Sequence, residues 1–405
     1  MTPTPELLWK WMELHDSVGL QGTAWSSQRP LRRQCRPSRP QQRTTLAEHK
    51  LHRAVWNGCL EQVRDLLAQG VSVDCRDPRG WTAVHHAAFN GHLPLVQFLL
   101  QRGAEVDSLD SFDCTPLHRA SWAGHAATTR FLLQAGASPT AQSSSGHTPL
   151  HLASANGHLG TARALLLAGA RVAAHDDNGW SPLDWAVFHG WVDVAELLLD
   201  SGGPLEGPDG GPLLLAVSAG QEGSVRLLLH QGANPNATRA DGQTALHLCA
   251  MSTSQRILQQ LLKAGASVAA VDADLVTPLH VAAGVGSRTA LHLLILNGAE
   301  LEARDRLHMT ALHHAALRGN TEAARLLLHY EAEVDAAERL GRTPLHLASE
   351  KGHCDVLEVL LDGGADATLT THWMETASSI AREHGQQGAQ RLLQRHLQGK
   401  GFLKM

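Results

Sequence analysis

Apolar residues along this chain come in short bursts at helical spacing, broken by glycine. Residues 148 to 170 read TPLHLASANGHLGTARALLLAGA. Thr148 is placed to cap a helix, Pro149 suits its first position because the missing N–H has no helical partner there, and Gly157 stops it. A second apolar stripe ends in a run of leucines and stops at Gly169. Polar stretches such as Asp77-Pro78-Arg79-Gly80 then read as tight turns leading to the next threonine. The pattern predicts two short helices and a turn, repeated.

The repeat is regular. Its anchor, the Thr of TPLH or its equivalent, stands at His49, Thr82, Thr115, Thr148, Ser181, Gly211, Thr244, Thr277, Thr310, Thr343 and Thr376. Every step is 33 residues except Ser181 to Gly211, which is 30. A unit this small cannot bury its own leucines, so neighbours must cover them, each fully covered Leu contributing about 1.5–3 kcal/mol. Small pairs such as Ala87-Ala88 and Ala315-Ala316 permit close approach of neighbouring first helices. Special ends are expected: Thr45-Leu46-Ala47-Glu48 fits a capping box, and the last unit carries Ser379, Glu383 and Gln386-Gln387 as a polar cap.

The turn, TPLH, Ala-Ala, Gly-His, Leu-Leu and Gly-Ala at this period closely resemble the ankyrin-repeat family over roughly residues 45 to 397. The resemblance implies an all-α repeat solenoid of about eleven ankyrin-like units, each a helix-turn-helix plus a β-hairpin finger, with N- and C-terminal caps. It also implies a concave groove lined by the first helices and the finger tips. Residues 1–44 read as an arm and 398–405 as a tail.

Departures from the pattern carry the remaining information. The short step removes three residues near Gly207-Pro208-Asp209-Gly210, so one finger should be stubbed; Leu214 replaces the TPLH histidine and Thr253 the stopping glycine. These changes read either as drift in a tolerant scaffold or as a hinge spanning residues 200–255. At the finger position held elsewhere by glycine, Asp113 and His308 tolerate a left-handed backbone; Leu275 does not, and its finger should be distorted.

Seven residues past the anchor, where the resemblance points a side chain into the groove, the units carry Trp56, Phe89, Trp122, Ala155, Phe188, Ser218, Met251, Gly284, Leu317, Glu350 and Glu383. The aromatics fall in the first five units. Trp81 and Trp180, just before their anchors, lie in the same half, while aromatics make up only 4% of the chain. Trp56, Trp81, Phe89, Trp122, Trp180 and Phe188 are therefore the candidate partner-binding residues, since exposed tryptophan favours binding hot spots. The competing reading makes these rings half-buried spacers between helices.

Chemistry beyond binding finds little support. Of the 26 histidines, eight occupy the TPLH position and four the Gly-His position, one ring per unit, too far apart to share a metal. No HExxH, P-loop, GxSxG or GxGxxG appears, and no catalytic residue, cofactor or metal is expected. The six cysteines are scattered, which fits reduced thiols in the cytoplasm or nucleus. No stretch reads as a signal peptide or membrane span.

Net charge is −5, yet the first 44 residues hold seven Lys or Arg against three Asp or Glu, leaving the rest at −9. Within that arm, Leu7, Leu8, Trp11, Met12 and Leu14 form one side of a short helix that could dock on a partner, plug the chain's own groove or stay loose. The stretch RPLRRQCRPSRPQQR reads as a disordered linker, with nucleic-acid or acidic-ligand binding as the alternative function. The expectation is a monomeric, non-enzymatic adaptor or scaffold that holds an unidentified protein partner, not nucleic acid, on the groove of its first five units.

Overall fold

The computed structural model describes residues 45–402 except 208, 209 and 253, with side chains described through 398. The arm and its two proposed segments lie outside the described residues. Within them, 22 helices form eleven antiparallel pairs, from Leu46–Trp56 with Leu60–Ala68 to Ala377–Glu383 with Gln387–Phe402. The pairs are numbered here as units 1 to 11. That last helix runs through the expected boundary at 397/398.

The core repeats as the sequence does. Second-helix residues Leu99, Leu132, Leu165, Leu198, Leu228, Leu261, Leu294, Leu327 and Leu360 are all fully buried, recurring at 33 residues with the one step of 30. Ala87, Ala120, Ala153, Ala186, Ala282, Ala315 and Ala348 are equally enclosed on the first helices. These methyl-sized contacts let neighbouring first helices pack closely, so the stack buries one continuous core.

Polar rungs tie each unit to the next. In TPLH units the histidine Nδ1 accepts from the backbone N–H of its own anchor threonine, 3.1 Å in unit 2, and Nε2–H donates to a carbonyl of the following turn. His85 reaches Cys114 O at 3.0 Å, His118 His147 O at 3.1 Å, His151 Trp180 O at 3.1 Å and His280 Met309 O at 3.0 Å. One ring thus closes a helix cap and bridges two units, which requires the neutral imidazole.

A second rung runs the other way. His92, His125 and His158 each donate from Nε2 to the carbonyl ending the previous unit's first helix, at 3.2, 3.0 and 3.0 Å. The glycine ending that helix is needed twice over. Gly124 has φ +81, and a Cβ there would lie 2.5 Å from Nδ1 of His158. Trp191, Gln221, Asn320 and Gln386 take the donor's place in units 5, 6, 9 and 11.

The finger differs from expectation. Among the described residues there is no β-hairpin; only isolated antiparallel bridges pair Thr238 with Thr244 and Thr370 with Thr376. In its place stands a five-residue turn, organised in units 2, 3, 5, 8 and 9 by an Asp side chain and in units 4 and 11 by the hydroxyls of Ser143 and Thr371. Asp77 Oδ1 accepts from Arg79 N at 2.9 Å and Trp81 N at 2.8 Å, while Asp77 N donates to Trp81 O at 2.9 Å. Each turn satisfies its own backbone groups, so it does not extend into strands. Neighbouring turns are joined by single backbone bonds, as from Ser111 N to Arg79 O at 3.2 Å.

Leu275 was expected to distort its turn and does not. It adopts φ +59, and the closing bond from Asp272 N to Val276 O remains at 3.1 Å. Asp272 Oδ1 still accepts from Asp274 N and Val276 N, each at 2.9 Å. The surrounding bonds hold leucine in a conformation it avoids by about 1–2 kcal/mol.

The interface between units 6 and 7 is the exception to the rungs. Leu214 stands where the bridging histidine would be and Ser254 where the second donor would be. Gly220 keeps φ +71 but has open space where its counterparts meet a ring or amide. Residues 201 to 210 form no acid-anchored turn among the described residues. What crosses instead includes apolar packing, a 2.6 Å bond from Arg239 Nη2 to Ser218 Oγ and an exposed ion pair from Arg256 Nη1 to Glu222 Oε2 at 3.4 Å.

Three outcomes test this scheme. Burial pushes His85, His118, His151, His280 and His313 down to about 4, whereas the unfolded chain titrates near 6.5. Below 6.5 the unfolded state takes up protons that the fold refuses. Denaturant midpoints should therefore fall between pH 6.5 and 4, each ring contributing up to about 1.4 kcal/mol per pH unit, and level off for these groups below 4. Gly124→Ala should lower the melting temperature more than Gly103→Ala, because Gly103 has φ +88 but open space around it. Ser254→His should add the missing donor toward the Ser218 carbonyl and stabilise by about 1 kcal/mol in chemical denaturation. Ser287→His should not, since Thr253 stands where the ring would need glycine.

Candidate functional site

Close approach of the first helices decides what their last turns present. In units 1 to 3 the residue seven past the anchor is aromatic, and the three rings stack. Trp56 and Phe89 have centroids 5.9 Å apart at an interplanar angle of 22°, and Phe89 and Trp122 are 5.4 Å apart at 18°. All three are half-buried. Because each ring covers its neighbour's face, the ladder turns its ring rims outward. Rims carry the positive part of the aromatic quadrupole, so they suit apolar side chains and carbonyl oxygens better than cations.

Trp81 lies behind the ladder. It packs on Phe89 at 5.5 Å and is only 4% exposed. The Arg119 guanidinium sits 4.7 Å from its ring centroid, and Arg119 Nε donates to Asp110 Oδ2 at 3.1 Å. Trp81 thus supports the ladder from beneath and does not offer a surface. Its neighbour His86 donates from Nε2 to Asp77 Oδ2 at 3.2 Å and packs against His52, ring centroids 5.1 Å apart and tilted at 56°. Burial alone would raise the Asp77 carboxyl, but His86 and the turn's N–H groups outweigh it and hold the pKa below the ordinary value.

At unit 4 the ladder breaks, since Ala155 supplies no ring. Its carbonyl accepts from Trp191 Nε1 at 2.9 Å, which commits that indole to the second rung. Beyond it Trp180, Trp185 and Phe188 form a second aromatic group, with Trp180 5.0 Å from Trp185 and 5.2 Å from Phe188. Trp185 Nε1 donates to Asp176 Oδ2 at 2.9 Å, and Phe188 is 36% exposed. The six candidate residues therefore resolve into a surface ladder with one buried support, and a separate pair farther along.

The histidines take the structural places read from their spacing. His85 and His86 point to different partners, Cys114 O and Asp77, as do His313 and His314, which reach Arg342 O and Asp305. Among the described residues no group of three or more His, Cys, Asp or Glu could hold a metal ion. Cys75 and Cys249 are buried thiols pushed up to about 12 by desolvation, which makes them poor nucleophiles. Among the described residues no helix is long and apolar enough to cross a membrane.

The family model for ankyrin repeats in three copies matches residues 51–143, 140–206, 213–305 and 279–371. The chain belongs to the ankyrin-repeat family. Proteins of this family are typically non-catalytic scaffolds, and the matches break between 206 and 213, where the step shortens. A search of the curated proteins returns no match.

One surface was missed in the sequence. At the turn tips of units 8 to 11, Leu275, Leu307, Leu340, Trp373 and Met374 are exposed. The signal was present as apolar residues at turn positions that polar residues usually fill.

Proposed function

We propose that this ankyrin-repeat protein is a protein-binding adaptor or scaffold that grips a partner segment on the first-helix face of units 1 to 3, within the family's groove. The stacked, half-buried Trp56, Phe89 and Trp122 carry this reading. Rings that served only as spacers would need no exposed rims, while fixed rings lose little entropy when a partner packs on them. The partner surface that fits is apolar or carbonyl-rich, with Phe188 and Trp180 as a second contact for a longer segment. A reducing compartment, cytoplasm or nucleus, suits the free thiols Cys59 and Cys354, which are only partly buried.

The test uses the full chain beside the Trp56→Ala/Trp122→Ala variant in proximity labelling followed by binding measurements on the captured partner. The variant should bind at least thirtyfold more weakly, the loss of about 2 kcal/mol that a single hot-spot ring carries, since neighbouring hot spots do not add. Its melting temperature should change by only a few degrees, because both rings are half-buried at the surface and not enclosed in the core. A large loss of stability with undiminished partner capture would return the rings to the role of spacers.

A further inference from the structure

The turn tips of the last three units each carry a large apolar side chain at an outward position, a feature that unit 3 alone shares among the units before them. Each tip has two outward positions after its first residue. Units 2, 4, 5, 7 and 8 hold Pro78-Arg79, Ser144-Ser145, Asp177-Asn178, Ala240-Asp241 and Ala273-Asp274, and unit 3 holds Ser111-Phe112, with Phe112 37% exposed. Units 9, 10 and 11 hold Arg306-Leu307, Arg339-Leu340 and His372-Trp373. A basic or imidazole side chain followed by a large apolar one recurs three times at the 33-residue period, and all six are exposed, Trp373 by 61%.

These pairs are neighbours in space. Arg339 N donates to Leu307 O and His372 N to Leu340 O, both at 3.1 Å, so the three tips lie side by side. Single exposed leucines need no explanation, but three in register on bonded neighbours make a ridge. Backbone strain adds a second sign. Leu275 and Met374 each take φ +59 at the position where glycine is usual, and they point apolar side chains into solvent, Met374 by 79%. Both features oppose folding and have no visible return within the folded chain.

Charge chooses the occupant. The organising acids Asp305 and Glu338 are buried and committed, to His314 Nε2 at 2.9 Å and Arg342 Nε at 2.9 Å. Arg304, Arg306 and Arg339 remain on the surface, against Asp274, which lies 3.2 Å from Arg306. The ridge therefore alternates apolar side chains with a surplus of guanidinium groups, which pair best with carboxylates. Packed helices repeat at about 8–10 Å, and an extended polyproline II segment has three residues per turn with a rise of about 3.1 Å each, which returns every third side chain to the same face. One tip thus corresponds to about one turn, or three residues, of such a segment.

We infer that the turn tips of units 9 to 11, flanked by Leu275 and Met374, form a second docking surface for an extended protein segment with an apolar residue at every third position and carboxylates between. It lies in other units than the aromatic ladder and does not depend on that ladder's role.

The probe is a fluorescein-labelled ten-residue peptide repeating Leu-Glu-Thr, titrated against the full chain by anisotropy, with Leu-Lys-Thr and Ser-Glu-Thr repeats as controls. The Leu-Glu-Thr peptide should bind at least tenfold more tightly than either control. Leu307→Glu and Trp373→Glu should each weaken it at least tenfold with unchanged circular dichroism, while Trp122→Ala should leave it intact. Leu275→Gly should raise the melting temperature yet weaken the peptide, separating a binding role from a folding one. Equal affinity for the Leu-Lys-Thr peptide, absence of binding at millimolar peptide, or loss of binding only in Trp122→Ala would overturn the inference. So would sedimentation showing a dimer that Leu307→Glu dissociates, which would make a second copy the occupant.

Discussion

The fold depends on an uncharged imidazole buried between two repeats. A ring such as His118 accepts from the threonine that starts its own helix and donates to the backbone of the next turn, so local capping and long-range stacking use the same atoms. Removing it would orphan both a helix-end N–H and a buried carbonyl, a larger loss than the net value of one hydrogen bond. The same geometry keeps histidine away from chemistry. With Nδ1 filled by threonine and Nε2–H by a carbonyl, neither nitrogen is left for a metal or a proton relay.

Apolar burial and these rungs divide the work. The leucine series supplies most of the driving force and is indifferent to exact partner, while the rungs fix the spacing and rotation of each unit against the next. The interface between units 6 and 7 keeps the first and lacks the second. It should hold together and yet resist rotation or opening less than its neighbours, which gives the 200–255 hinge reading a physical form: packing without register. The family matches part between 206 and 213, at the shortened step between units 5 and 6, and run unbroken across the interface between units 6 and 7.

Much of this was legible before any coordinates. A period of 33, a Thr-Pro start and a Gly stop fix the helices, since each rests on local backbone chemistry. The hairpin finger was not legible: whether a turn extends into strands depends on whether its backbone groups find partners outside it, and Asp77 and its counterparts satisfy them within. Leu275 shows the same limit, for its intrinsic preference was read correctly and then overridden by the bonds that close its turn. At the aromatic site the positions of Trp56, Phe89 and Trp122 followed from register, but the burial of Trp81 did not. It follows from Arg119, whose guanidinium packs on that indole and whose pairing with Asp110 lies five residues before one anchor and four after it.

Both surfaces that stand out do so by violating the rules that build the scaffold. The ladder places three large rings in consecutive units where most other units have small, polar or aliphatic residues, and the tips place leucine, methionine and tryptophan where turns usually take glycine and polar side chains. In a repeat array the cost of such a change is confined to one unit and its neighbours, so the array tolerates it where a compact single core would not. That confinement is what allows eleven similar units to carry different side chains: the ladder presents stacked aromatic rings, whereas the tips combine apolar side chains with guanidinium groups. Were both proposed surfaces to engage segments of one partner, the rung-poor interface between units 6 and 7 would lie between the two contacts, and a looser interface there would relax the distance the partner must span.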